Sequence, residues 1–95
     1  MSFVIISDLR QRHLEGYTRA IRDFRPPNWD GDNITNLPLP EYCGISVRAA
    51  VKAGWFGDSV TPEDVGELTG HETITLAGDI LDAYNAANRP PDAKN

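Results

Sequence analysis

Ninety-five residues, 40% of them hydrophobic, with a net charge of −5 and a single cysteine, are enough for one small domain and not for two. The lone thiol, Cys43, excludes an intrachain disulfide and any cysteine-built zinc site, a composition that fits a reducing compartment. No basic leader precedes a long apolar run, and the apolar stretch at residues 3–6 is far too short to cross a membrane, so a soluble intracellular protein is expected.

Charge is unevenly placed. Residues 1–27 hold five arginines (Arg10, Arg12, Arg19, Arg22, Arg25) against Asp8, Glu15 and Asp23, whereas residues 53–88 hold no Lys or Arg against seven acids. Such a dipole has two readings: the halves attract each other, within one molecule or head-to-tail between copies, or the acidic half faces a basic partner.

In chain order, Phe3-Val4-Ile5-Ile6 is a short β-branched run, an edge strand or an extended arm, with no pairing partner visible elsewhere in the sequence. Ser7 as N-cap and Asp8 in the first turn predict a helix over about 8–24, its apolar face built from Leu14, Tyr17, Ala20, Ile21 and Phe24. Gly16 costs such a helix about 1 kcal/mol relative to Ala, which points to close approach by a neighbour. Arg12 and Arg19 lie on the opposite, solvated side. Arg25-Pro26-Pro27 ends the helix, and residues 26–40, with four prolines and three asparagines, form a long loop whose only aromatic is Trp29.

The stretch PEYCGISVRAAVKAGWFG at 40–57 organises the chain. Pro40 and Glu41 suit a first helical turn, an apolar stripe from Tyr42 to Ala53 follows, and Gly54 fits the left-handed position past the helix end. The predicted helix covers about 41–53. Trp55 and Phe56 then fold back on its last turn, either as core or as an exposed anchor for a partner, because aromatics dominate binding hot spots. Thr61-Pro62-Glu63-Asp64 opens a further helix over about 62–68, stopped at Thr69-Gly70. The last helix spans about 72–88, with Leu76, Ala77, Ile80, Leu81, Tyr84 and Ala87 as its stripe and Asp79 and Asp82 on its wet side. Arg89-Pro90-Pro91 breaks it, and residues 90–95 are expected to be a disordered tail. The fold class expected is mainly α, a small bundle of three to four helices forming one domain, with residues 3–6 as a short N-terminal strand or arm.

No constellation for catalysis stands out. Cys43 near a helix start would have its thiolate somewhat favoured, but nothing in the spacing pairs it with His13 or His71. Two histidines with scattered acids define no metal site, Asp30-Gly31-Asp32 lacks the later ligands of a calcium loop, and no glycine-rich phosphate loop is present. A non-enzymatic protein without cofactor or metal is expected. Its candidate partner-binding residues are Trp55, Phe56, Trp29, Arg12, Arg19, Glu63, Glu67 and Asp79.

Two segments, ISDLRQRHLE at 6–15 and VRAAVKAGWF at 47–56, together with their spacing to Asp64-Val65-Gly66-Glu67-Leu68 and to residues 80–84, resemble small proteins from the tail-gene regions of long-tailed bacteriophages. The resemblance covers about two thirds of the chain, excluding residues 26–40 and the tail. It implies a tail assembly chaperone, which binds the tape-measure protein before tail polymerisation, and it transfers no catalytic residue. The partner implied is another phage protein or a second copy of the chain, in the host cytoplasm or in the virion. Two other readings are an acidic inhibitor occluding a basic, nucleic-acid-binding host protein, and a DNA-binding regulator using the arginine-rich first helix. Net negative charge and the lack of a recognition helix disfavour direct nucleic-acid binding.

Overall fold

The structure, a computed structural model, describes residues 3–25 and 37–88. It is mainly helical: α1 (Gln11–Asp23), α2 (Leu39–Lys52), a 3-10 segment (Pro62–Glu67) and α3 (Gly70–Asn88), with no strand among the described residues. Trp29, most of the proline-rich segment and the tail at 90–95 lie outside the described residues.

Residues 3–6 form the arm rather than a strand. The Ile6 N–H donates to the Trp55 carbonyl at 2.8 Å, and Phe3, Ile5 and Leu9 pack against the core from outside. This docking explains why α1 begins three residues later than Ser7-Asp8 suggests. Winding residues 8–10 into the helix would draw Leu9 and Ile6 off the core, so Arg10 stays extended (φ −104°, ψ 171°) and the helix starts behind it. The capping partner is His13, whose Nδ1 accepts the Arg10 N–H at 2.9 Å.

α2 is the centre of the fold. Tyr42 N–H reaches Pro38 C=O at 2.9 Å, so the helix opens at Leu39, with Pro40 in its first turn and Glu41 beside the positive end of the helix dipole. Its end is a Schellman turn: Gly54 N–H donates to Val51 C=O at 3.1 Å, Trp55 N–H donates to Ala50 C=O at 3.0 Å, and Gly54 takes φ +92°. A side chain at Gly54 would meet the left-handed penalty of about 1–2 kcal/mol. The turn points Trp55 back along the helix it has just left.

Past Gly57, Pro62 starts the 3-10 segment, and the Asp64 carboxylate accepts the Thr61 N–H at 2.9 Å. The segment buries Val65 and stops where Leu68 becomes extended (ψ 149°). Thr69-Gly70 does not end it as expected; the pair opens α3. Thr69 Oγ1 accepts the Glu72 N–H at 3.1 Å while the Glu72 carboxylate accepts the Thr69 N–H at 2.9 Å, a reciprocal cap that satisfies two otherwise orphaned donors.

Packing follows from small residues. α1 crosses α2 where Gly16 faces Ala53; a Cβ on Gly16 would stand 3.2 Å from the Ala53 Cβ, so the close approach expected of this glycine is observed. α3 also packs on α2, contributing Ala77 and Ile80 to a core shared with Val60 and Val65, and its Tyr84 ring lies 5.6 Å from that of Tyr17 on α1. Trp55 ties the layers together. It is 0% exposed, its ring lies 5.1 Å from Tyr17 and stacks 6.5 Å from Tyr84, and its Nε1–H donates to the His13 carbonyl at 2.8 Å. Phe56, 4% exposed, meets Phe3 edge-on at 5.5 Å. Trp55 and Phe56, two of the three aromatics named as candidate partner contacts, are therefore core. The Schellman turn, which reverses the chain onto its own helix, leaves them no path to the surface.

Candidate protein-binding surface

α3 has nineteen residues, and only Ala77 and Ile80 are buried. One flank supplies the core, and the rest faces outward. Ile74, Gly78, Leu81 and Asn85 follow at four- and three-residue steps and make one stripe. Ile74 is 45% and Leu81 50% exposed, and nothing stands within 4 Å of where a Gly78 Cβ would sit. At its N-terminal end the stripe meets a crevice of about 170 Å³ that Ile74 shares with Pro40, Cys43 and Arg48. Leu39, the residue before Pro40 in the chain, is also exposed.

The opposite flank of α3 borders a shallow groove of about 600 Å³. Three elements contribute its apolar floor: Phe3 from the arm, Leu68 from the end of the 3-10 segment and Leu76 from α3. Glu67, His71, Glu72 and Thr75 form its walls. All three floor residues are partly buried against the core, so the groove is a shelf on a packed base.

Glu63, Glu67 and Asp79 are exposed, as expected of the acidic half, and Arg12 and Arg19 are exposed on α1. The structure does not bring these two groups together. Among the described residues the ion pairs are Arg10–Asp8 at 2.9 Å and Lys52–Asp23 at 2.8 Å, and neither joins an α1 arginine to an acid of the later half. Direct pairing within the molecule is thus not how the charge dipole is used among these residues. Arg19 instead borders a shallow depression with Glu15, Thr18 and Arg22.

Cys43 lies in the second turn of α2, buried, and burial pushes its thiol above the ordinary value of 9.0. The favoured thiolate expected from a helix-start position is reversed by desolvation, which penalises the charged form. His13 is buried and engaged as the α1 cap, a role its sequence position alone did not reveal. Among the described residues no three His, Cys, Asp or Glu side chains converge on a metal position. No helix among them is long and apolar enough to cross a membrane.

The residues that sequence reasoning missed are Ile74, Leu39 and the groove floor. Ile74 carries a detectable signal, since it repeats seven residues before Leu81 and falls off the Ala77–Ile80 stripe. The groove carries none, because its floor is assembled from three elements distant in sequence. Comparison with known proteins finds no match: no protein-family model, no curated protein and no solved structure aligns with this chain.

Proposed function

We propose that this chain is a non-enzymatic bacteriophage assembly protein that acts through protein–protein contacts, with tail assembly chaperone as the specific role. The observation that carries the reading is the apolar stripe of α3: a helix with two buried residues out of nineteen keeps Ile74 and Leu81 in water on one face. Exposed apolar side chains at helical spacing are a common basis for helix-mediated recognition, and a small domain gains stability by covering them. The resemblance to tail-region proteins supplies the identity of the partner, the tape-measure protein. With Trp55 and Phe56 buried, the contact passes to Ile74, Leu81 and Leu39.

The test is co-purification of the tagged chain from phage-producing cells, with partners identified by mass spectrometry, beside the double variant Ile74→Glu/Leu81→Glu. Retention of a tail protein at high salt by the wild type, lost in the variant while its circular dichroism is unchanged, supports the proposal. A basic host protein released by salt and unaffected by the variant replaces it with the inhibitor reading. That alternative draws on the exposed acids Glu63, Glu67 and Asp79, which lie in a stretch free of Lys and Arg.

A further inference from the structure

Resting on the reading that this chain works by binding protein, we infer that the groove between the arm and α3 receives a basic amphipathic segment of the partner. Its floor of Phe3, Leu68 and Leu76 offers apolar surface from three elements, while Glu67 and Glu72 stand on its walls. Asp79 lies seven residues, two helical turns, beyond Glu72 and so prolongs the acidic edge along the same side of α3. No Lys or Arg occurs between residues 53 and 88, so no neighbour in sequence neutralises this edge.

Charge and shape select the occupant. A lysine or arginine side chain lays its methylene stem on an apolar floor and keeps its charged head at a carboxylate rim, and an adjacent leucine-type side chain fills the remaining floor. Nucleic acid and anionic membranes are repelled by the same rim. The groove is shallow and open to solvent, which suits a segment laid on the surface more than an enclosed small molecule. This site is distinct from the Ile74–Leu81 stripe, which lies on the other flank of α3, and the two would grip a partner from both sides of one helix.

The experiment titrates the full-length protein with a labelled Leu/Lys amphipathic peptide and compares it with Ser/Lys and Leu/Glu counterparts of the same length. Two-dimensional amide NMR of the labelled protein locates the contact. The expected result is that Leu/Lys binds at least about tenfold more tightly than either control, with shifts centred on Phe3, Leu68 and Leu76. Glu67→Lys/Asp79→Lys, both at exposed positions, should weaken binding by about tenfold and flatten its salt dependence. Thr75→Arg, which adds charge and bulk at the exposed wall, should weaken it without altering the fold. Equal binding of Ser/Lys and Leu/Lys overturns the inference by reducing the groove to a diffuse field. Shifts centred on Ile74 and Leu81 overturn it too, while leaving the proposed function standing. Absence of binding by every peptide overturns the groove alone, since the proposed function is judged by the tail-protein capture and its α3 variants.

Discussion

α2 and α3, of fourteen and nineteen residues, are used in opposite ways. α2 buries eight of its fourteen residues, contacts α1, the 3-10 segment and α3, and includes the small buried residues Ser46, Ala49 and Ala50. α3 buries two of nineteen and spends its outer surface on Ile74, Leu81 and carboxylates. The difference separates two kinds of sensitivity. Substitutions in and just after α2 should be felt as stability, and substitutions on the outer face of α3 as binding.

The strongest way to break this division is Trp55→Ala. Removal of a fully buried indole with a hydrogen bond to the His13 carbonyl should cost about 3–5 kcal/mol, a large share of the stability of a small domain. Urea unfolding followed by circular dichroism measures it; a loss below about 1 kcal/mol would return Trp55 to the list of surface anchors. Next in size is Gly16→Leu, which must displace Ala53 and should cost about 1–3 kcal/mol by overpacking. Thr69→Ala removes one half of the reciprocal cap and should cost about 1 kcal/mol, read as a lower melting temperature with α3 fraying from its first turn. On the outer stripe, Ile74→Ser/Leu81→Ser should shift stability by no more than about 0.5 kcal/mol while reducing partner capture. A large stability loss from that pair would erase the distinction between the two helices.

An effect absent at neutral pH sharpens the same contrast on the α2 side. Burial raises the Tyr17 phenol above 10.0, against the pull of the hydrogen bond that its hydroxyl shares with Ser46 at 2.8 Å, and burial likewise raises the Cys43 thiol above 9.0. Both groups are neutral when protonated, and the folded chain holds those protons more tightly than the unfolded one. Their contribution is complete below pH 9.0 and falls as pH rises, for Cys43 from 9.0 upward and for Tyr17 from 10.0 upward. Tyr17→Phe/Cys43→Ala should therefore lose stability less steeply with alkali than the wild type in chemical unfolding measured across that range. An equal slope would show that neither group governs the alkaline limb.

Much of this architecture is legible in residue order because local chemistry decided it. Pro40, Gly54 and Thr61-Pro62 mark element ends through backbone constraints that no tertiary contact overrides, and Gly16 announces a close crossing. Ser7-Asp8 misleads because the arm gains more from docking Ile6 and Leu9 than the helix gains from an earlier cap. Thr69-Gly70 misleads for a different reason: the Thr-x-x-Glu signature was present, but a glycine can stand at the opening of a helix as well as beyond its end. Burial of Trp55 depends on Tyr17, Tyr84 and His13 arriving from other elements, so sequence leaves core and anchor both open. The groove is the least legible feature, since Phe3, Leu68 and Leu76 become neighbours only after the chain has closed.

The hydrogen bond from the Trp55 indole to the His13 carbonyl spans 42 residues, and this separation sets a clock on biosynthesis. A helical turn forms in about a microsecond, but at roughly 5–20 residues per second the ribosome needs roughly 2–8 s to add 42 residues. An isolated helix shorter than about 12–15 residues is marginal in water, and α1 has thirteen. Throughout that interval Leu14 and Tyr17 lack the indole of the core they pack into. The nascent first half emerges as an apolar, arginine-bearing segment that cellular holdases can occupy, and the core closes only once Trp55 and then α3, with Ile80 and Tyr84, have followed it.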